Sequence, residues 1–305
     1  MIGAEPSPSN PIRSVHVIVN PASGQPGDAV LNTLHAVFSE EMGIDWDVSL
    51  TRDTGDGFRQ AQKAIEQGVD AVAVYGGDGT VREVVSALKC SEIPLAILPG
   101  GTGNLFAVQL GIPKALRRAA RLIAGPHRID RVDVGLANGE AFVVAVGTGF
   151  IAETMDVTDR EMKDRMGFPA YLVGGYKKLR EMPHAYYRLV LDDERGEEGE
   201  GVACLVSNTN STGISGLQVP SGGSNQDGLL DVLLFRDVDA PTVLSIVGDI
   251  LGLQELTAPL VRWPVRKVVI EADPPQLVTL DGDITGETPV EVTILPAALK
   301  IIVPA

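Results

Sequence analysis

The 305 residues suffice for one large or two medium domains, and a hydrophobic share of 44% can fill real cores. A net charge of −15 disfavours nucleic acid or an anionic membrane as a whole-surface partner. No stretch approaches the roughly 18 uninterrupted apolar residues of a membrane-spanning helix.

Met1–Pro11 is rich in Pro and Ser and lacks the basic start and apolar block of a signal peptide, so residues 1–13 read as a disordered tail. Val15–Val19 is an apolar strand, and Gly27–Glu41 has helical periodicity through Val30, Leu31, Leu34, Val37 and Phe38. Trp46–Leu50 is a short strand, and Gly57–Gln67 is helical up to Gly68. Val69–Val74 is the next strand, Val81–Leu88 the next helix, and Pro94–Leu98 a further strand ahead of the helix-like Leu105–Leu110. Strands alternating with helices predict an α/β domain with a parallel sheet over residues 14–130. Lys114–Arg131 gathers six basic residues against the single acid Asp130, four of them near helical spacing. That segment reads as a solvated helix face or as a local basic patch for an anionic surface.

After about Asp130 the pattern changes. Asp133–Leu136 and Ala141–Val146 flank an Asn138–Gly139 turn, a hairpin signal. Tyr187–Leu191 and Gly201–Ser207 flank the acidic run Asp192–Glu200, expected as a solvated hairpin tip. Leu229–Phe235, Lys267–Glu271, Leu277–Leu280 and Val290–Leu295 are further strands, with one helical interlude over Asp159–Glu181. Residues 131–305 therefore read as an antiparallel β-sandwich, with the last few residues able to return to the first domain. The two cysteines, Cys90 and Cys204, have no metal-like spacing and read as buried, reduced thiols. The four histidines have none either and read as structural or surface residues.

Ligands of parallel sheets bind beyond the carboxyl ends of the strands. Three loops fall there. Asn20-Pro21-Ala22-Ser23-Gly24 follows the first strand. Gly76-Gly77-Asp78-Gly79-Thr80 precedes a helix, so bare backbone N–H groups at its start suit a phosphate. Its aspartate would repel phosphate unless a cation lies between them or a hydroxyl is to be activated, which suggests Mg-nucleotide chemistry. Pro99-Gly100-Gly101-Thr102-Gly103-Asn104 offers further backbone donors and a hydroxyl. Each loop also has an ordinary reading as a capped turn. In the second half, Asp281-Gly282-Asp283 follows a strand, and Ser224–Asp231 clusters oxygen donors around a glycine turn.

In this order and spacing, the three loops together with Thr51, Glu83 and Asp281–Asp283 resemble the diacylglycerol kinase catalytic family, which includes bacterial lipid kinases and sphingosine kinases. The resemblance runs from about Val15 to the C-terminus. It implies a nucleotide-binding α/β domain of the NAD kinase and diacylglycerol kinase type, followed by a β-sandwich substrate domain. It also implies ATP-dependent transfer of the γ-phosphoryl group to the hydroxyl of diacylglycerol or a related lipid alcohol, in a cleft between the domains.

The resemblance carries over to single residues. Asn20, Pro21, Ala22, Ser23, Gly24, Thr51, Gly76, Gly77, Asp78, Gly79, Thr80, Val81, Arg82, Glu83 and Thr102 should hold ATP, with Lys163 and Arg165 reaching the phosphates from the second domain. Asp78 would act through Mg²⁺, and Asp283, with Asp281 beside it, matches the family's proposed general base. Ser224, Asp227 and the Leu229 carbonyl match a structural Mg²⁺ site. The implied setting is cytoplasmic, at the inner membrane face, with transient peripheral contact, a role in phospholipid metabolism and no nucleic acid. Oligomeric state stays open, a homodimer being one option, as does the identity of the lipid.

Three departures stand out. Asp283 replaces a Glu and is one methylene shorter, Gln25-Pro26 stands where many members carry a basic residue, and Leu105 stands where many bacterial members have Asp. NAD kinase, which shares a Gly-Gly-Asp-Gly loop, and a nucleotide-binding regulator without turnover are the competing readings.

Overall fold

The computed structural model describes residues 12–25, 27–149, 152, 184–209, 224–236 and 262–305. The chain divides into two compact units, residues 1–134 with 297–305 and residues 135–296.

In the first unit, strands β1 (Ser14–Val19), β2 (Asp45–Leu50), β3 (Ala71–Gly76) and β4 (Leu95–Pro99) form a parallel sheet in the order β2-β1-β3-β4. Its edge beyond β4 is extended by the end of the last strand, where Ile301 pairs with Leu95. Every residue of β3 and β4 is buried, as a sheet covered on both faces requires. Helices α1 (Gly27–His35), α2 (Asp56–Gln67), α3 (Asp78–Leu88), α4 (Leu105–Gln109) and α5 (Leu116–Ala124) supply the cover. α2 stops at Gly68, whose φ of 68° is a left-handed cap favoured by glycine.

The helix expected over Gly27–Glu41 changes character at Ala36, where a turn of π-helix runs to Glu41. The widened turn carries both Val37 and Phe38 into the core, and the Phe38 ring meets Trp46 edge-on at 5.8 Å. On α5 the small and apolar residues Leu116, Ala119, Ala120 and Ile123 face inward. Its arginines are not idle: Glu41 pairs with both Arg117 and Arg121. Arg131 and Lys300 share Glu92, and Arg128 pairs with Asp130.

The second unit holds two antiparallel sheets. One has the order β12-β11-β10-β7-β14-β15, built from β7 (Ala145–Gly149), β10 (Ala203–Ser207), β11 (Leu230–Phe235), β12 (Arg262–Val265), β14 (Leu277–Leu280) and β15 (Asp283–Glu287). The other runs from the start of β16 (Val290–Pro304) through β13 (Lys267–Asp273) and β8 (Ala185–Leu191) to β9 (Arg195–Gly201). The hairpin of β5 (His127–Ala137) and β6 (Glu140–Phe142) joins it. Strict alternation along β8 buries Ala185, Tyr187, Leu189 and Leu191. They share a core with Cys204, Val232, Ile270 and Leu280, so the two sheets make a sandwich.

Four expectations need correction. The acidic run is not a hairpin tip: the turn is short, and Arg195–Gly201 is an edge strand paired with β8. An edge strand can carry acids on its solvent face, and Glu198 lies opposite Arg188 at 3.8 Å. Ala141–Val146 is not one strand but two, β6 and β7, in different sheets. The strand begun at Val290 runs on to Pro304 rather than ending near Leu295. Cys204 is buried as expected, but Cys90 is exposed in the turn after α3, at φ 64°. The helix expected over Asp159–Glu181 lies outside the described residues.

Candidate nucleotide-binding site

The three loops of the first unit meet through their glycines. Gly24, at φ 57°, leaves so little room that a Cβ there would lie 2.5 Å from the Gly100 carbonyl oxygen and 2.7 Å from the Tyr75 hydroxyl. At Gly101 a Cβ would lie 2.6 Å from the Cα of Gly77. Backbone packs on backbone at these points, and only glycine permits it. Tyr75 is buried between the first and third loops; its hydroxyl accepts the Gln25 N–H at 3.0 Å. Asn20 ties the first loop to the second, donating from Nδ2 to Thr80 Oγ1 at 2.9 Å, while its own N–H donates to the Tyr75 carbonyl. The Gly100 N–H donates to the Gly76 carbonyl, and Asn104 closes the third loop onto Gly101.

A cavity of about 590 Å³ opens beside these loops. Asn20, Pro21, Ala22, Thr51, Thr80 and Glu83 line it, with Arg52, Asp53 and Thr54. Six residues expected from the sequence are thus brought together at the carboxyl ends of β1 and β2 and the start of α3. The loop bearing the other three has no motif of its own to mark it; its one signal is that it follows Thr51 directly, at the carboxyl end of a parallel strand. Helix α3 receives no cap from Gly77, which is extended there; Asp78 takes its own N–H, and the positive end of the helix still favours an anion. Ser23, Gly24, Gly76, Gly77, Asp78, Gly79 and Thr102 shape the adjoining loops without lining the cavity. Val81 points into the core, and the Arg82 carbonyl accepts the Ser86 hydroxyl. Lys163 and Arg165 lie outside the described residues.

The motif carboxylates of this unit hold backbone. Asp78 accepts N–H groups of Asn104, Leu105 and Phe106 at the start of α4, and its own N–H at the start of α3. Burial pushes its pKa above 3.8, and those donors restrain the rise. Glu83 accepts Gly55 N–H at 2.7 Å and Gly57 N–H at 2.9 Å, capping α2 from another helix. Asp56 receives the N–H groups of Arg52 and Asp53, which with Arg59 lower its pKa to about 2. Asp78 therefore welds the second loop to the third, and its carboxylate has less to offer a metal than an open one would.

In the second unit the carboxylates of Asp281 and Asp283 part ways. Asp281, at φ 50°, accepts the N–H groups of Val143, Val144 and Ala145 at 2.8–3.0 Å. Those residues carry the chain from β6 in one sheet to β7 in the other, so the carboxylate pins the crossover. Asp283 begins β15, opposite Leu280, and is exposed.

Asp227 accepts the Leu229 N–H at 3.0 Å and Ser224 Oγ accepts the Gln226 N–H at 3.2 Å, so both sit on one tight turn. Asp231 is buried beside Arg262 Nε at 2.5 Å; burial raises its pKa, the arginine opposes the rise, and the charge of Asp227 adds to it. The oxygens of Ser224 and Asp227 are of the hard kind that Mg²⁺ takes, while the Asp231 carboxylate is already paired with Arg262. No group of three or more His, Cys, Asp or Glu side chains gathers among the described residues, so such a cation would lean on hydroxyl, carbonyl and water oxygens.

Residues 14–137 match the diacylglycerol kinase catalytic domain, and residues 144–303 match the YegS C-terminal NAD kinase beta sandwich-like domain. The chain belongs to the diacylglycerol kinase catalytic family. It is 30% identical to an uncharacterized protein of Synechocystis sp., over 95% of this chain and 70% of that relative. A Staphylococcus haemolyticus protein bearing the name "Putative lipid kinase" is 29% identical over 84% of each chain. Among solved structures, a diacylglycerol kinase from Bacillus anthracis str. Sterne superposes with a TM-score of 0.75 at 28% identity, covering 96% of this chain and 97% of its own. As a member of the diacylglycerol kinase family, the chain has the α/β unit and the NAD kinase-like β-sandwich expected from its sequence. Among the described residues no helix is long and apolar enough to cross a membrane.

Proposed function

We propose that the protein is an ATP-dependent lipid kinase that phosphorylates the hydroxyl of diacylglycerol or a related lipid alcohol. One arrangement carries the reading: three glycine loops locked together beside an open cavity and the start of α3, in a chain of this family. Kinases of this family draw the phosphoryl group from ATP. In the proposed reaction the lipid hydroxyl oxygen bonds to the γ-phosphorus, the bond from that phosphorus to the β–γ bridging oxygen breaks, and ADP leaves.

The chain's own part is positioning and proton transfer. Asn20, Thr51 and Thr80 offer hydrogen-bonding groups around the cavity. Backbone N–H groups at the start of α3 favour the phosphates. Asp283 takes the hydroxyl proton, because it is exposed while Asp281 is held by backbone. Mg²⁺ bound with ATP would supply charge neutralisation, and a second, structural Mg²⁺ would sit on the Ser224, Asp227 and Leu229 oxygens. Transient contact with the cytoplasmic membrane face completes the reading. Lys114 and Arg118 are the better candidates for it, since Arg117 and Arg121 are engaged by Glu41.

The test incubates purified protein with MgATP and mixed micelles of defined lipid alcohols, with NAD as a competing acceptor. Phosphorylated lipid is expected. NADP formation without lipid phosphorylation would make the protein a NAD kinase, and no phosphorylation of any acceptor would favour a regulator.

A further inference from the structure

We propose that Arg52 is the cation that grips the phosphate chain of the nucleotide in the first unit, in place of the basic residue missing at Gln25-Pro26. The inference rests on the nucleotide reading of the cavity and adds to it a residue that the family's motifs do not mark.

Charge around the cavity makes the case. A polyphosphate brings several negative charges to a chain that already carries −15, so a local positive group matters. The first loop over Asn20–Gln25, the second over Gly76–Thr80 and the third over Pro99–Asn104 contain no Lys or Arg. Of the described residues that line the cavity, only Arg52 is basic. The acids around it do not tie it down. Glu83 is occupied by the Gly55 and Gly57 N–H groups, Asp56 by two backbone N–H groups and Arg59, and Asp53, the other acid of the lining, makes no ion pair with it. Among the described residues the Arg52 side chain forms no ion pair.

Its main chain, by contrast, is fixed. The Thr51 N–H donates to the Val19 carbonyl at 2.9 Å, and the Arg52 N–H donates to Asp56 Oδ2 at 2.7 Å. An exposed arginine that lines the cavity on an anchored backbone, with no ion pair among the described residues, suits bidentate binding of phosphate oxygens. Asp56 thus contributes by holding the backbone of Arg52, its own charge being met by Arg59.

Calorimetry on the full chain separates this inference from the reading beneath it, using ATP, inorganic tripolyphosphate and adenosine as ligands. Wild type should bind ATP and tripolyphosphate. Arg52→Gln should weaken both by about 10- to 100-fold, with adenosine binding and melting temperature unchanged. Arg52→Lys should recover part of the loss, keeping charge without the planar fork. ATP binding that is equal in wild type and Arg52→Gln would overturn the role of Arg52 and leave the nucleotide reading standing. Equal losses for ATP and adenosine would also overturn it, marking a contact to the base or a distorted site. Arg52-dependent binding of tripolyphosphate without ATP binding would keep the phosphate grip and sink the nucleotide reading. Binding of neither ligand to wild type would sink both.

Discussion

In the first unit the acidic motif residues Asp78 and Glu83 face backbone N–H groups, each fastening a loop to the start of a neighbouring helix. In the second unit Asp281 does the same for a crossover between sheets, while Asp283, two residues on, stands exposed at the head of β15. Chemically identical carboxylates thus differ in setting, some receiving backbone N–H groups in part-buried positions and one standing exposed at a strand start. The difference teaches that a carboxylate within a nucleotide motif is not by its presence a metal ligand or a base. Three backbone donors on one carboxylate already balance much of its charge.

Substitutions can break the comparison at its strongest point first. Asp283→Ala should lower turnover by about 10²- to 10⁴-fold with little change in melting temperature, because the proposed base sits exposed at a strand start. Undiminished turnover measured beside an unchanged melting curve would remove the base from the account. Asp281→Ala should reverse that profile, costing about 2–4 kcal/mol of stability by stripping partners from three N–H groups at the crossover. Chemical denaturation reads that loss directly. A destabilisation no larger than that of a surface substitution would mean the crossover does not depend on the carboxylate.

The smallest effect concerns Asp78. Burial raises its folded pKa above 3.8, so between 3.8 and the raised value the folded state holds more protons than the unfolded one. Its contribution to stability is complete below that window and declines as pH rises through it. The stability difference between wild type and Asp78→Asn, followed by denaturation across acidic pH, should therefore shrink as pH rises. A difference that grows with pH would mean that the N–H donors outweigh burial.

Much of this was legible in the sequence. Strand and helix periodicity located the α/β unit, because a covered parallel sheet buries whole strands such as Ala71–Gly76 and leaves glycines where backbones touch. The order of the loops pointed to the family. What escaped detection depended on partners distant in sequence. Asp281 reaches Val143 across 138 positions, and nothing near either residue announces the contact. The acidic strand Arg195–Gly201 has no apolar alternation to betray it, since its pairing with β8 comes from backbone. No motif or spacing marks Arg52, and only the cavity sets it with Asn20, Thr51 and Thr80.

The most direct test of the central claim is transfer of γ-labelled phosphate from ATP to a total lipid extract in mixed micelles. The account predicts label in a lipid alcohol with wild type and its loss with Asp283→Ala. Label that never enters the lipid fraction, or that enters it equally with Asp283→Ala, would contradict it.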